Sequence, residues 1–187
     1  MKKLRLLVTT KCKRNCEGCC NHDVKPSGVI HVFELLDHIK AGTYNQIMIT
    51  GGEPLLFPDL LMVYLQTIMH TICFKMKDPK LEPEVILYTS MIPKHVDNKY
   101  LLSIFYLLDG ITFTIHDKSG MEDFLRLQEI LAMMHDQPKM RLNVFCDVPL
   151  SPVNLYGWDV KFIKWIKNCP LPEGEEFLAL DPLFTYE

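Results

Sequence analysis

Gln46-Ile47-Met48-Ile49-Thr50-Gly51-Gly52-Glu53-Pro54 is the stretch that decides the fold. Residues 46–50 form a short run of the buried-strand type. Two glycines end it, and Pro54 fixes the direction in which the chain leaves. Pro58 and Asp59 suit the first turn of a helix, which residues 60–72 continue. Strand, tight turn and helix in immediate succession make a βα unit.

The same rhythm extends in both directions. Residues 3–9 are a short apolar run, and 32–40 have helical spacing through Phe33, Leu36 and Ile39. Residues 74–83 are polar, contain two prolines and read as a loop. Further strands are expected at 85–89, 111–116 and 140–146. Helices are expected at 94–108, ended by Asp109-Gly110, at 121–135, and at 155–167 with Trp158, Phe162, Trp165 and Ile166 on one side. Residues 177–180 offer a sixth strand. Alternation of this kind implies parallel strands joined by crossovers. A closed eight-unit barrel needs about 250 residues, and the chain has 187. The expectation is therefore an α/β fold, a partial, open (β/α) barrel of about five or six units, forming one domain over residues 1–187.

Composition narrows the class. A net charge of -3 and the lack of a long basic run give no specific nucleic-acid signal. No apolar stretch approaches the roughly 18 to 20 residues that cross a bilayer, so no membrane partner is expected. The first residues, Met1-Lys2-Lys3-Leu4-Arg5, lead into an apolar run too short for a signal peptide, and the chain reads as cytoplasmic. Seven cysteines, an odd number, argue against a secreted disulfide framework. Cys73, Cys146 and Cys169 are scattered and are expected to be buried thiols.

The other cysteines crowd one loop. Cys12, Cys16 and Cys19 have the spacing C-x3-C-x2-C directly after the first strand. A cubane [4Fe-4S] cluster normally takes four thiolates, so three leave one iron open to a small molecule. Zinc is the rival, with Cys20 or His22 as a fourth ligand in a closed structural site. In parallel α/β proteins, ligands gather at the carboxyl ends of strands. The cysteine loop, the Gly51-Gly52-Glu53-Pro54 turn, Tyr88-Thr89-Ser90 and Thr114-Ile115-His116-Asp117 all fall at such ends. The glycines would allow close backbone approach, Glu53 would add a carboxylate facing a cation, and the loop's basic side chains would offset cluster charge.

The three-cysteine loop after strand one and G-G-E-P after strand two together resemble the radical S-adenosylmethionine (radical SAM) superfamily. The resemblance implies a single radical SAM core domain. Cys12, Cys16 and Cys19 would hold the [4Fe-4S] cluster, whose open iron would be chelated by the methionine part of S-adenosylmethionine. Gly51, Gly52, Glu53 and Pro54 would receive the methionine ammonium. Ser90, Thr114 and His116 stand where the family carries T-N-G-like and S-x-D segments, and are candidate cofactor or substrate contacts. Reductive cleavage of the cofactor would give a 5'-deoxyadenosyl radical that abstracts hydrogen from a substrate, which could be macromolecular. The electron would come from a low-potential flavodoxin or ferredoxin. Gly18 stands where the family often has an aromatic residue. Two small subclasses share this size, glycyl-radical activating enzymes and 7-carboxy-7-deazaguanine synthase-like enzymes. Asn21 fits the first and replaces a threonine usual in the second. A zinc- or Fe-S-stabilised binding module is the non-enzyme alternative.

Overall fold

The computed structural model describes residues 2–14, 16, 19, 24–76, 78–145, 148–150, 153–164 and 171–181. Its strands are β1 (Lys2–Leu7), β2 (Gly28–Ile30), β3 (Tyr44–Thr50), β4 (Glu84–Thr89), β5 (Gly110–Ile115), β6 (Lys139–Phe145), β7 (Trp158–Ile163) and β8 (Glu175–Leu180). Its helices are α1 (Val32–Lys40), α2 (Pro58–Lys75), α3 (Asn98–Phe105) and α4 (Ser119–Leu131). The strands form one sheet in the order β2-β8-β1-β3-β4-β5-β6-β7. Every pairing is parallel. The sheet is open and does not close into a barrel. The sixth expected strand exists as β8, but it returns to the far side of β1 rather than following β7.

Register sorts the side chains onto two faces, because successive residues of a strand point to opposite sides. Leu4 and Leu6 align with Ile47 and Ile49, which align with Val85 and Leu87. These join Ile111, Phe113, Leu142 and Val144 in the buried core. The helices supply Leu35 and Ile39, Leu61, Leu65 and Ile68, Leu101 and Ile104, and Phe124, Leu127 and Ile130 to the same core. The opposite face is mixed: Met48 and Phe177 are buried beside Arg5, and polar pairs line the rest. Arg5 pairs with Glu175 at 2.7 Å, Gln46 donates to Glu84 at 3.1 Å, and Arg141 pairs with Asp159 at 3.2 Å. Hydrophobic burial, the main stabilising term, is thus concentrated on one side of the sheet.

Four expectations are corrected. The helix expected over 155–167 is not formed at its described residues: 158–163 form β7, hydrogen-bonded along β6, and Trp165 and Ile166 lie outside the described residues. Trp158 packs edge-on against Phe124, centroids 4.9 Å apart, while Phe162 is 64% exposed. An edge strand with unevenly covered faces does not alternate cleanly, so its apolar residues also fit a helical period. The helix expected from residue 94 begins at Asn98, where Asp97 accepts from the Lys99 and Tyr100 backbone N–H groups. Arg126 holds the preceding turn open by donating to the carbonyls of Pro93 and Val96 and to Asn98 Oδ1, each at 2.7 Å. The segment read as a loop from residue 74 begins with the last turn of α2 and contains a 3-10 turn, Pro79–Leu81. Cys73, on α2, is exposed rather than buried; Cys146 and Cys169 lie outside the described residues. The three-residue strand β2 has no sequence signal of its own.

Phe124 joins β5 and β7 to the helix layer through Phe113 and Trp158. Phe124→Ala is predicted to lose about 3–5 kcal/mol of stability, read as a lowered urea midpoint with little change in slope.

Candidate functional site

The site is built from the ends of four strands, of which β1, β3 and β4 meet most closely. The loop after β1 crosses directly over the turn after β3. The Gly52 N–H donates to the Thr9 carbonyl at 2.6 Å, and the Glu53 N–H donates to the Lys11 carbonyl at 2.9 Å. Gly51 has φ of 152°, a conformation that favours glycine. A Cβ at Gly51 would lie 2.4 Å from the Thr9 oxygen, and one at Gly52 would lie 2.1 Å from the Lys11 oxygen. The two glycines are therefore required by the cysteine loop itself, whose backbone occupies the space a side chain would need.

Glu53 faces the end of β4. It is 1% exposed. Its Oε1 accepts from Thr89 Oγ at 2.6 Å and from the Leu55 N–H at 3.2 Å, and its Oε2 accepts from the Ser90 N–H at 3.0 Å and Ser90 Oγ at 3.4 Å. Burial raises its pKa to about 7 against the pull of these donors. The carboxylate expected to face an ammonium thus braces β4 against the glycine turn, bringing Glu53 and Ser90 into direct contact. Pro54 starts the 3-10 turn Pro54–Leu56 and is buried.

The cysteine loop lies above these contacts. Cys12 is exposed, while Cys16 and Cys19 are half-buried. The Cys19 N–H donates to the Cys16 carbonyl at 3.2 Å, and the Arg14 N–H donates to Cys12 Sγ at 3.4 Å. Burial pushes the Cys16 thiol up; Cys19 and Cys12 push it further, and the Arg14 guanidinium opposes them. Cys12 and Cys19 both lie near enough to Cys16 for their charge to reach its thiol. A cavity of about 350 Å³ has Cys12, Cys19 and Gly52 in its wall, together with Leu7, Thr10, Lys25, Pro26 and Phe177. Among the described residues no three His, Cys, Asp or Glu side chains converge as a ready-made metal site. The loop is a donor set that a cluster would draw together, as is common where binding and local folding are coupled. Three thiols on one short loop, two of them in the wall of a cavity and one accepting from a backbone N–H, fit an iron–sulfur group. Cys20 and His22, the fourth zinc ligands considered above, lie outside the described residues, as does Gly18.

The end of β5 completes the site. Thr114 is half-buried on the mixed face, opposite Asn143 of β6. The His116 ring stacks on Phe145 with centroids 5.0 Å apart. Burial, helped by the Arg14 charge, lowers its pKa to about 4, so the imidazole is neutral near pH 7. Arg14 was expected only to offset cluster charge; its side chain instead turns to Asp117, Ser119 and Asp123 at the start of α4. No sequence period pairs residues so far apart, and only the position of Arg14 between two cysteines hinted at a role.

Comparison with protein families places residues 3–127 in a match to the 4Fe-4S single cluster domain. The chain belongs to that family. Comparison with curated proteins gives no match. The family match of this 4Fe-4S single cluster domain protein spans the cysteine loop, the glycine turn, Ser90, Thr114 and His116. It favours iron and sulfide over zinc at the loop. Among the described residues no helix is long and apolar enough to cross a membrane.

Two outcomes test this construction. Glu53 binds a proton more tightly folded than unfolded, since its pKa rises from 4.5 to about 7. Stability is therefore predicted to fall as pH rises through that interval, by on the order of 3 kcal/mol. Urea titrations at several pH values should show this slope, flattened in Glu53→Gln. Gly52→Ala is predicted to destabilise the protein by about 2–3 kcal/mol through overpacking and to expose residues 9–14 to protease, read by limited digestion.

Proposed function

We propose that this protein is a radical SAM enzyme. The reading is supported most by the backbone lock between residues 9–11 and 52–53, which seats a three-thiol loop on a Gly-Gly-Glu-Pro turn. Cys12, Cys16 and Cys19 would hold the [4Fe-4S] cluster. When bound, the cluster would supply the single electron that splits the sulfonium of S-adenosylmethionine into methionine and a 5'-deoxyadenosyl radical, which takes hydrogen from the substrate.

The protein's own residues would bind and orient. The turn at Gly51, Gly52 and Pro54 presents backbone to the methionine ammonium, and Glu53 holds that backbone in place from beneath. Ser90, Thr114 and the neutral ring of His116 line the neighbouring strand ends, where they can accept or donate hydrogen bonds without adding charge. The mixed sheet face leads away from them toward β7, which pairs only with β6 among the described strands. Such an open flank suits a bulky or macromolecular substrate. A low-potential flavodoxin or ferredoxin would reach the cluster from the side where Cys12 is exposed.

Anaerobic reconstitution with iron and sulfide, followed by dithionite and S-adenosylmethionine, is predicted to release 5'-deoxyadenosine and methionine. Chromatography of the products reads this directly. Cys16→Ala should abolish both. A chain that carries its cluster yet never cleaves the cofactor would instead be an electron-transfer or sensing module.

A further inference from the structure

The geometry points to Arg14 as a positioning residue that ties the middle of the cysteine loop to the start of α4 and holds its neighbouring sulfurs in place. The inference rests on the iron–sulfur reading of the loop and goes beyond it by naming what orients the ligands. Among the described residues, backbone bonds to the glycine turn secure only the base of the loop, residues 9–11. Arg14 lies between Cys12 and Cys16, and its side chain is 9% exposed. One terminal nitrogen donates to Asp117 Oδ1 and Oδ2 at 3.1 and 3.3 Å and to Ser119 Oγ at 3.2 Å. The other donates to Asp123 Oδ2 at 2.9 Å. Exposed ion pairs contribute little. This one is a charge-assisted fork to two carboxylates, of which Asp123 is largely buried and Asp117 is itself organised, accepting from Ser119 Oγ at 2.6 Å and from the Gly120 N–H at 3.1 Å.

Two further observations direct this anchor toward the sulfurs. The Arg14 backbone N–H already donates to Cys12 Sγ. Its side-chain Nε–H is buried and has no acceptor among the described residues. A buried donor without an acceptor is costly, and sulfur in an iron–sulfur centre accepts such hydrogen bonds. Arg14 thus has one side engaged by the carboxylates of the β5–α4 junction and one N–H left over beside the thiol loop. Without Arg14, Asp117 and Asp123 would stand unneutralised near an anionic centre.

The test compares reconstituted wild type with Arg14→Gln, Arg14→Lys and Asp123→Asn, measuring iron release to a chelator and the cluster's midpoint potential. Arg14→Gln should release iron about tenfold faster and shift the potential to more negative values, because a cation and an N–H donor are lost. Asp123→Asn should also release iron faster, but shift the potential the opposite way, because an anion is lost. Arg14→Lys should hold the potential nearer to wild type while failing to restore retention, since an ammonium cannot fork. A change in melting temperature alone, with wild-type retention and potential in Arg14→Gln and Arg14→Lys, would overturn the proposal and leave the cysteine site intact. A wild-type chain that takes up no iron and sulfide would overturn the cluster reading and the anchor together.

Discussion

Two backbone hydrogen bonds, from Gly52 to Thr9 and from Glu53 to Lys11, are the constraint on which the site depends. They are possible only because no Cβ stands at positions 51 and 52. Parallel neighbours β1 and β3 deliver both segments to the same sheet edge, and the missing side chains let them close on each other. The loop that carries the thiols and the turn that follows β3 therefore behave as one rigid piece. Any ligand held by one is held at a set distance from the other.

Around this piece the chain has placed two partly or fully buried charges with different tasks. Glu53 joins the turn to β4 through Thr89 and Ser90. Its raised pKa measures how strongly burial disfavours the ion. Arg14 joins the loop to α4 through Asp117 and Asp123. The three strand ends β1, β3 and β4 and the helix after β5 are thus connected by polar contacts at the top of a sheet whose core is apolar. The helix-covered face stabilises, and the edge and the mixed face are left for chemistry.

Much of this was legible in the sequence, for physical reasons. β3, the glycine turn and α2 announce themselves because a buried strand, a φ requirement and a helix start each demand particular residue types. The cysteine spacing likewise pointed to an iron–sulfur loop with zinc as its rival, and the family match favours iron and sulfide. What stayed hidden was long-range or marginal. β7 sits at an edge, where tertiary exposure blurs the alternation of Trp158, Val160 and Phe162. β8 was visible as a strand, but nothing in residues 177–180 says that it inserts between β2 and β1. The partners of Glu53 and Arg14 could not be read, because side-chain pairing across the sheet leaves no local period. Glu53 reads from the sequence as a carboxylate facing a cation; its contacts with Thr89 and Ser90, which brace the turn against β4, leave no local signal.

The central claim is that three thiols on a backbone-locked loop hold a cluster with one open iron beside the Gly51–Gly52 turn. EPR spectroscopy of the reduced, reconstituted protein before and after addition of S-adenosylmethionine tests it most directly. The account predicts a cluster signal whose g-values shift when the cofactor is added, because the ligand set of one iron changes. A signal of a fully ligated cluster, unaltered by saturating cofactor, would contradict it.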